Sequence, residues 1–171
     1  MDEFFDVICE DPRWQGAGLA ELAAPALAAT FAELGLPQQG FTLCIMGCDD
    51  ARIAALNADF RGKPSPTNVL SWPSAERGAA VAGDVPAPPI AGPLDDPEHL
   101  GDIALSYDTC MAESHAAQKP PFAHISHLIV HGVLHLLGYD HIRDADGDVM
   151  EALEGRILAR LGLPNPYSDP Q

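Results

Sequence analysis

A chain of 171 residues with 47% hydrophobic and 20% charged side chains is about the size of one domain and apolar enough to enclose a core. Its formal charge of −16, from 25 acidic against 9 basic residues, argues against a general nucleic-acid binder, because phosphate contacts need clustered Lys and Arg. No apolar run approaches the roughly 20 residues that span a bilayer, and the acidic start Met1-Asp2-Glu3-Phe4 lacks the basic head of a signal peptide, which points to the cytoplasm.

In chain order, Phe4 to Ile8 reads as a short strand. Leu19 to Leu34 reads as a helix stopped by Gly35, with Pro25 expected to kink it or to mark its true beginning. Phe41 to Cys48 alternates as a strand, and Asp49-Asp50 offers an N-cap for a helix through Phe60. Val69 to Trp72 is a third strand, closed by Pro73. Residues 73–97, rich in Pro, Gly and Ala, have neither period and read as a long flexible surface loop. Gly101 to Ser106 is a fourth strand, and Tyr107 to Gln118 a helix stopped by Lys119-Pro120-Pro121. Phe122 to Leu137 is the strongest helix of the chain, ended by Gly138; another follows from about Asp146 to Leu161, and the tail 164–171 is expected to fray. The sum is a single α+β domain over residues 1–171: a small four-stranded mixed sheet packed with about five helices. The four cysteines, Cys9, Cys44, Cys48 and Cys110, form no C-x-x-C pair. Cys44 and Cys48 would stand about 13 Å apart along a strand, too far to share a metal, so all four read as core or half-buried thiols.

The chemistry concentrates in PFAHISHLIVHGVLHLLGYDH, residues 121–141. His131 and His135 leave one helix face a turn apart, a spacing with which two imidazoles grip one metal ion. Gly138 can end the helix in a left-handed conformation and let Tyr139-Asp140 bring His141 round as third ligand. Three histidines leave the fourth position of a tetrahedral zinc open, the arrangement of a catalytic site. His124 and His127 compete for the role, but ligands two turns apart on a straight helix are about 12 Å apart along its axis, so these two read as core-facing groups or as supports for the ligands. The spacing H-x-x-x-H-x-x-G-x-x-H is that of metzincin proteases, which carry a Glu directly after the first His as general base; here Gly132 takes its place. The acidic run from Asp144 to Asp148 is no calcium loop, since its sixth position is Val149 and its twelfth Gly155.

HGVLHLLGYDH (131–141), LNADFRGKPSPTNVLSWP (56–73) and LGDIALS (100–106) together resemble, in order, the three sequence blocks of the YbeY endoribonucleases, the rRNA maturation factors. The resemblance implies a small α+β fold and one zinc per chain on His131, His135 and His141. It also implies metal-dependent cleavage of single-stranded RNA in 16S rRNA 3′-end maturation and ribosome quality control. Single-stranded rRNA and the ribosomal particle or its proteins would be the partners, with neither membrane nor DNA. The family's arginine falls on Arg61, which with Lys63 would answer the acidic charge locally by binding phosphate. His131 and Arg61 would be the catalytic pair, with Asp102 and Asp140 as candidates to orient an imidazole. Residues 73–97 are longer than the family pattern leads one to expect. Two other readings fit the same residues: a non-catalytic ribosome assembly factor with structural zinc, or a metal hydrolase acting on another substrate.

Overall fold

The alternation at residues 41–48 sets the sheet. Phe41, Leu43 and Ile45 turn into the main core while Thr42, Cys44 and Met46 turn the other way and stay half-exposed, as a two-residue period requires. In the computed structural model, which describes residues 4–167, this strand (β2, Phe41–Cys48) lies between β1 (Phe5–Cys9) and β4 (Glu98–Ser106), and β3 (Val69–Pro73) completes the order β1-β2-β4-β3. β1 and β4 run parallel to β2, and β3 runs antiparallel to β4, so the sheet is mixed. Six helices accompany it: α1 (Arg13–Gly16), α2 (Leu19–Leu34), α3 (Asp50–Arg61), α4 (Tyr107–Ala116), α5 (Pro121–Leu136) and α6 (Asp144–Arg160).

The main core joins one face of the sheet to α2, α5 and α6, through Ile45, Ile103, Phe31, Ile129, Val133 and Ile157, each at most 1% exposed. α5 is apolar on most sides, as a helix buried among other elements must be. The opposite face is covered at one end only, where Ile53 of α3 packs on Cys48, Leu70 and Ala104. All four cysteines are free thiols, Cys48 and Cys110 buried and the other two half-buried. No helix among the described residues is long and apolar enough to cross a membrane.

Most elements fall where the pattern placed them, and the differences have physical causes. Pro25 lies inside α2, which begins at Leu19. A Pro within a helix removes a hydrogen bond, at a cost of about 3 kcal/mol, but burial of Leu19, Ala23 and Leu27 around it holds the helix continuous. β4 begins at Glu98 rather than Gly101, because Glu98 and His99 pair with Phe41 and Thr42 before a bulge shifts the register. α1 is a single turn seeded by Asp11, whose carboxylate accepts from the Arg13 N–H at 2.9 Å. It buries Trp14 completely, and the indole N–H donates to the Cys48 carbonyl at 3.0 Å.

Residues 74–97 contain neither helix nor strand, yet they are tied down along their length. Gly92 N–H donates to Gly40 O at 2.9 Å, Gly83 N–H to Asp146 Oδ1 at 2.9 Å, and the Arg143 guanidinium to Ala79 O at 2.7 Å. Arg77 turns inward, its side chain only 9% exposed, and donates to the Leu136 carbonyl at 3.1 Å, one of those that a helix end leaves without a partner. Of the tail expected to fray, residues 164–167 lie against the body through Tyr167, whose hydroxyl reaches Glu154 at 3.1 Å; residues 1–3 and 168–171 fall outside the described part.

Asp49 caps α3 by accepting from the Arg52 N–H at 2.8 Å. Asp49→Ala is expected to lower the free energy of unfolding by about 1 kcal/mol, read as a shifted urea midpoint at constant slope, with metal affinity unchanged.

Candidate metal centre and cleft

α5 presents His131 and His135 on one face, their Nε2 atoms 3.0 Å apart. The helix then stops. Gly138 takes φ +102°, and the Tyr139 N–H bonds back to Leu134 O at 3.0 Å. Only glycine serves at 138, because beyond the positive φ a Cβ there would lie 2.4 Å from the Arg77 carbonyl oxygen. Tyr139 is buried, and the Asp140 carboxylate accepts from the His141 N–H at 2.7 Å. The turn so fixed brings the His141 ring within 5.4 Å of His131 and 5.2 Å of His135, centroid to centroid.

One ligand atom from each of the three imidazoles lies within 4.8 Å of the others. A tetrahedral ion with nitrogens at about 2.0–2.1 Å sets neighbouring nitrogens roughly 3.3 Å apart, so the donor set fits one ion and leaves a position for a non-protein ligand. Burial, then the nearby His131, lowers the His135 pKa to about 4 against the opposing pull of Asp140. His135 is therefore neutral at pH 7, as a metal ligand must be.

Behind the cluster lies a carboxylate that the motif did not reveal. Glu154 of α6 is fully buried. It accepts from His127 Nε2 at 2.7 Å and from the Tyr167 hydroxyl at 3.1 Å, and both its oxygens stand 3.3 Å from His131 Nδ1. Burial pushes its pKa up, but the hydrogen bonds from His127 and His131 outweigh that and hold it near 2. An ionised Glu154 keeps the His131 proton on Nδ1 and leaves the Nε2 lone pair facing His135. The sequence did carry a signal: Met150, Leu153, Ile157 and Leu158 of α6 are buried at helical spacing, and Glu154 stands as an acid within that apolar stripe. His127 is thus a partner of Glu154, and His124 bonds Glu113 at 2.9 Å; both support α5 from outside the three-histidine cluster.

Neither aspartate named as a candidate to orient an imidazole bonds a ring of the three-histidine cluster. Asp102 pairs across the sheet with Cys44 and Trp72 on the face opposite Ile103 and α5, and meets His99 at 3.1 Å. Asp140 holds the turn rather than a ring. The reason is parity: Ile103 and Leu105 face the main core, so Asp102 between Gly101 and Ile103 must face away from it.

The histidines open onto a cleft of about 1190 Å³, walled by the α5–α6 turn, residues 73–79 with 84 and 86 of the long loop, and the end of α3. Arg61, the last residue of α3, lines it. A cation in the last turn favours the helix dipole wherever it points; facing this cleft is a separate property. Six of the nine basic residues are engaged in ion pairs, Arg13, Arg52, Arg77, Arg143, Arg156 and Arg160. Arg61, Lys63 and Lys119 have no side-chain partner among the described residues. Lys63 is exposed beyond Gly62 and outside the cleft lining. At Gly132 a Cβ would stand 3.2 Å from Ile103 and from Ser71 Oγ. A side chain there, such as the protease carboxylate, would require Ile103 and Ser71 to give way by a few tenths of an ångström.

The family model described as Endoribonuclease YbeY matches residues 10–162. A relative of that name from Cereibacter sphaeroides is 55% identical over 167 residues, covering 98% of this chain and 100% of its own. Another, from Ruegeria sp. strain TM1040, is 54% identical with 95% of each chain covered. The solution structure of TM1509 from Thermotoga maritima superposes with a TM-score of 0.55 at 20% identity over 97% of each chain, a likeness of fold.

Glu154→Gln is expected to weaken divalent-metal binding about 10- to 100-fold in competition with a chromophoric chelator, with the far-ultraviolet dichroism unchanged. A second outcome follows from His135. Folded, it takes a proton only near pH 4; unfolded, near 6.5. The unfolded chain holds more protons between those values, so its share of stability is complete above about 6.5 and lost as pH falls toward 4. Thermal melts of chelator-treated protein across that window check the sign: the midpoint should rise with pH, and by less in His135→Asn.

Proposed function

The chain belongs to the YbeY family of endoribonucleases, and from that premise we propose that it cuts single-stranded ribosomal RNA precursor with one zinc ion on His131, His135 and His141, serving 16S 3′-end maturation and ribosome quality control. The observation that carries this reading is the convergence on one cleft of three imidazoles and an arginine that has no side-chain partner among the described residues. His131 and His135 would hold the ion from the helix and His141 from the turn, and bound zinc would supply Lewis-acid chemistry there, while Glu154 fixes the ring and tautomer of His131. Arg61 has the forked donors to take a phosphate through two hydrogen bonds and to steady charge that develops on its oxygens. Peptide hydrolysis by the metzincin route lacks its carboxylate, since Gly132 stands in that place, packed closely on Ile103 and Ser71.

The acidic surface bears on the substrate as well. With a net charge of −16 and, among the described residues, Arg61 and Lys63 without an acidic partner near the cleft, the protein can neutralise one or two phosphates. A long duplex would meet more repulsion than attraction. A short single-stranded segment, handed over by a ribosomal particle or one of its proteins in the cytoplasm, needs no more than that.

Labelled single-stranded RNA carrying the 16S 3′ precursor sequence, incubated with zinc-loaded protein, should be cut by the wild type. Cleavage should fall at least about 100-fold in Arg61→Ala and to background in His131→Ala. Binding without cleavage by the wild type would favour an assembly factor with structural zinc, and equal cleavage by all three preparations would overturn the assigned roles of both residues.

A further inference from the structure

Beside Arg61 stands an aromatic ring that core packing does not use up. Phe60 is 47% exposed and lines the same cleft as the three histidines. One side of the ring is supported by Trp72, with centroids 5.4 Å apart and planes inclined at 57°. Trp72 in turn packs on the Leu70 and Ile53 cluster beneath α3. Phe60 is thus held by the sheet from below and open to the cleft above. The other exposed aromatics, Phe122 and Tyr167, lie outside that cleft.

An open ring next to a free guanidinium matches the two ends of one nucleotide. We propose that Phe60 is a stacking platform for one nucleobase of the RNA, the base adjoining the phosphate that Arg61 holds. This rests on the ribonuclease reading above and deepens it. Stacking on an aromatic face accepts any base, since every base has a π-face. It refuses a base whose two faces are already covered in a duplex. Phe60 thereby adds selectivity for single strands at the level of the individual base, beyond the repulsion that an acidic protein opposes to a long duplex.

The test uses zinc-loaded full-length protein and a set of single-stranded 16S 3′ precursor oligonucleotides, each with one abasic nucleotide at a different position. Equilibrium titration gives Kd, and single-turnover cleavage at saturation gives the rate. For the wild type, one abasic position beside the cleaved phosphate should raise Kd about tenfold or more with little change in rate. Phe60→Leu should raise Kd for intact RNA by a similar factor and lose its sensitivity to that position. Phe60→Tyr and Phe60→Trp should restore both tightness and sensitivity. Chelator competition and dichroism on each variant separate loss of stacking from loss of fold, and the restoring pair keeps the test decisive if Phe60→Leu folds poorly. The platform is overturned if no abasic position matters to the wild type, or if Phe60→Leu stays as sensitive as the wild type. A wild type that neither binds nor cuts RNA would instead overturn the ribonuclease reading and this one with it.

Discussion

How near α5 can come to the sheet decides where the chemistry sits. At Gly132 the helix backbone lies close against Ile103 and Ser71, so that even a Cβ would stand 3.2 Å from them, and the Ser71 hydroxyl bonds the Gly132 carbonyl at 3.3 Å. The contact sets both the depth and the rotation of the helix, so His131 and His135, next to it and one turn on, emerge at the cleft. A larger residue at 132 would crowd Ile103 and Ser71 and strain this fit. The second close approach, Gly138 against the Arg77 carbonyl, fixes the other end of the same helix. Two glycines thus define the segment that carries the three histidines.

Charge is arranged around that segment in two shells of opposite sense. The buried Glu154 is satisfied by His127, His131 and Tyr167, which allows a carboxylate to stay ionised in the interior. Outside, six of the seven arginines are occupied by neighbouring acids, and among the described residues only Arg61, at the cleft, has no such partner. A protein of such negative charge can hold an anion only where its own carboxylates have been kept off a cation, and the end of α3 is such a place.

The three-histidine cluster was legible because His131, His135 and His141 lie within one helix and one turn, where local geometry alone brings them together. Glu154 was not, because it meets His131 through the packing of α6 on α5, which no local spacing encodes; only its place among Met150, Leu153 and Ile157 hinted at it. Asp102 was misread for the converse reason. Its strand was recognised, but which face of that strand α5 covers depends on the whole topology. α1 escaped notice because one turn has no period to detect. The docking of the long loop escaped because a run of Pro, Gly and Ala carries no pattern, and Arg77, Gly83 and Gly92 bond partners far along the chain.

The two tryptophans occupy opposite regimes. Trp14 is sealed in the core with its indole bonded to Cys48, while Trp72 is half-buried on the sheet beneath Phe60. With no other indole in the chain, the protein carries a pair of built-in optical reporters. Emission from Trp14 follows the integrity of the whole fold, and emission from Trp72 follows events at the rim of the cleft. Replacing either one with phenylalanine would leave a single-probe protein, in which local changes at the cleft can be watched separately from global unfolding without any attached dye.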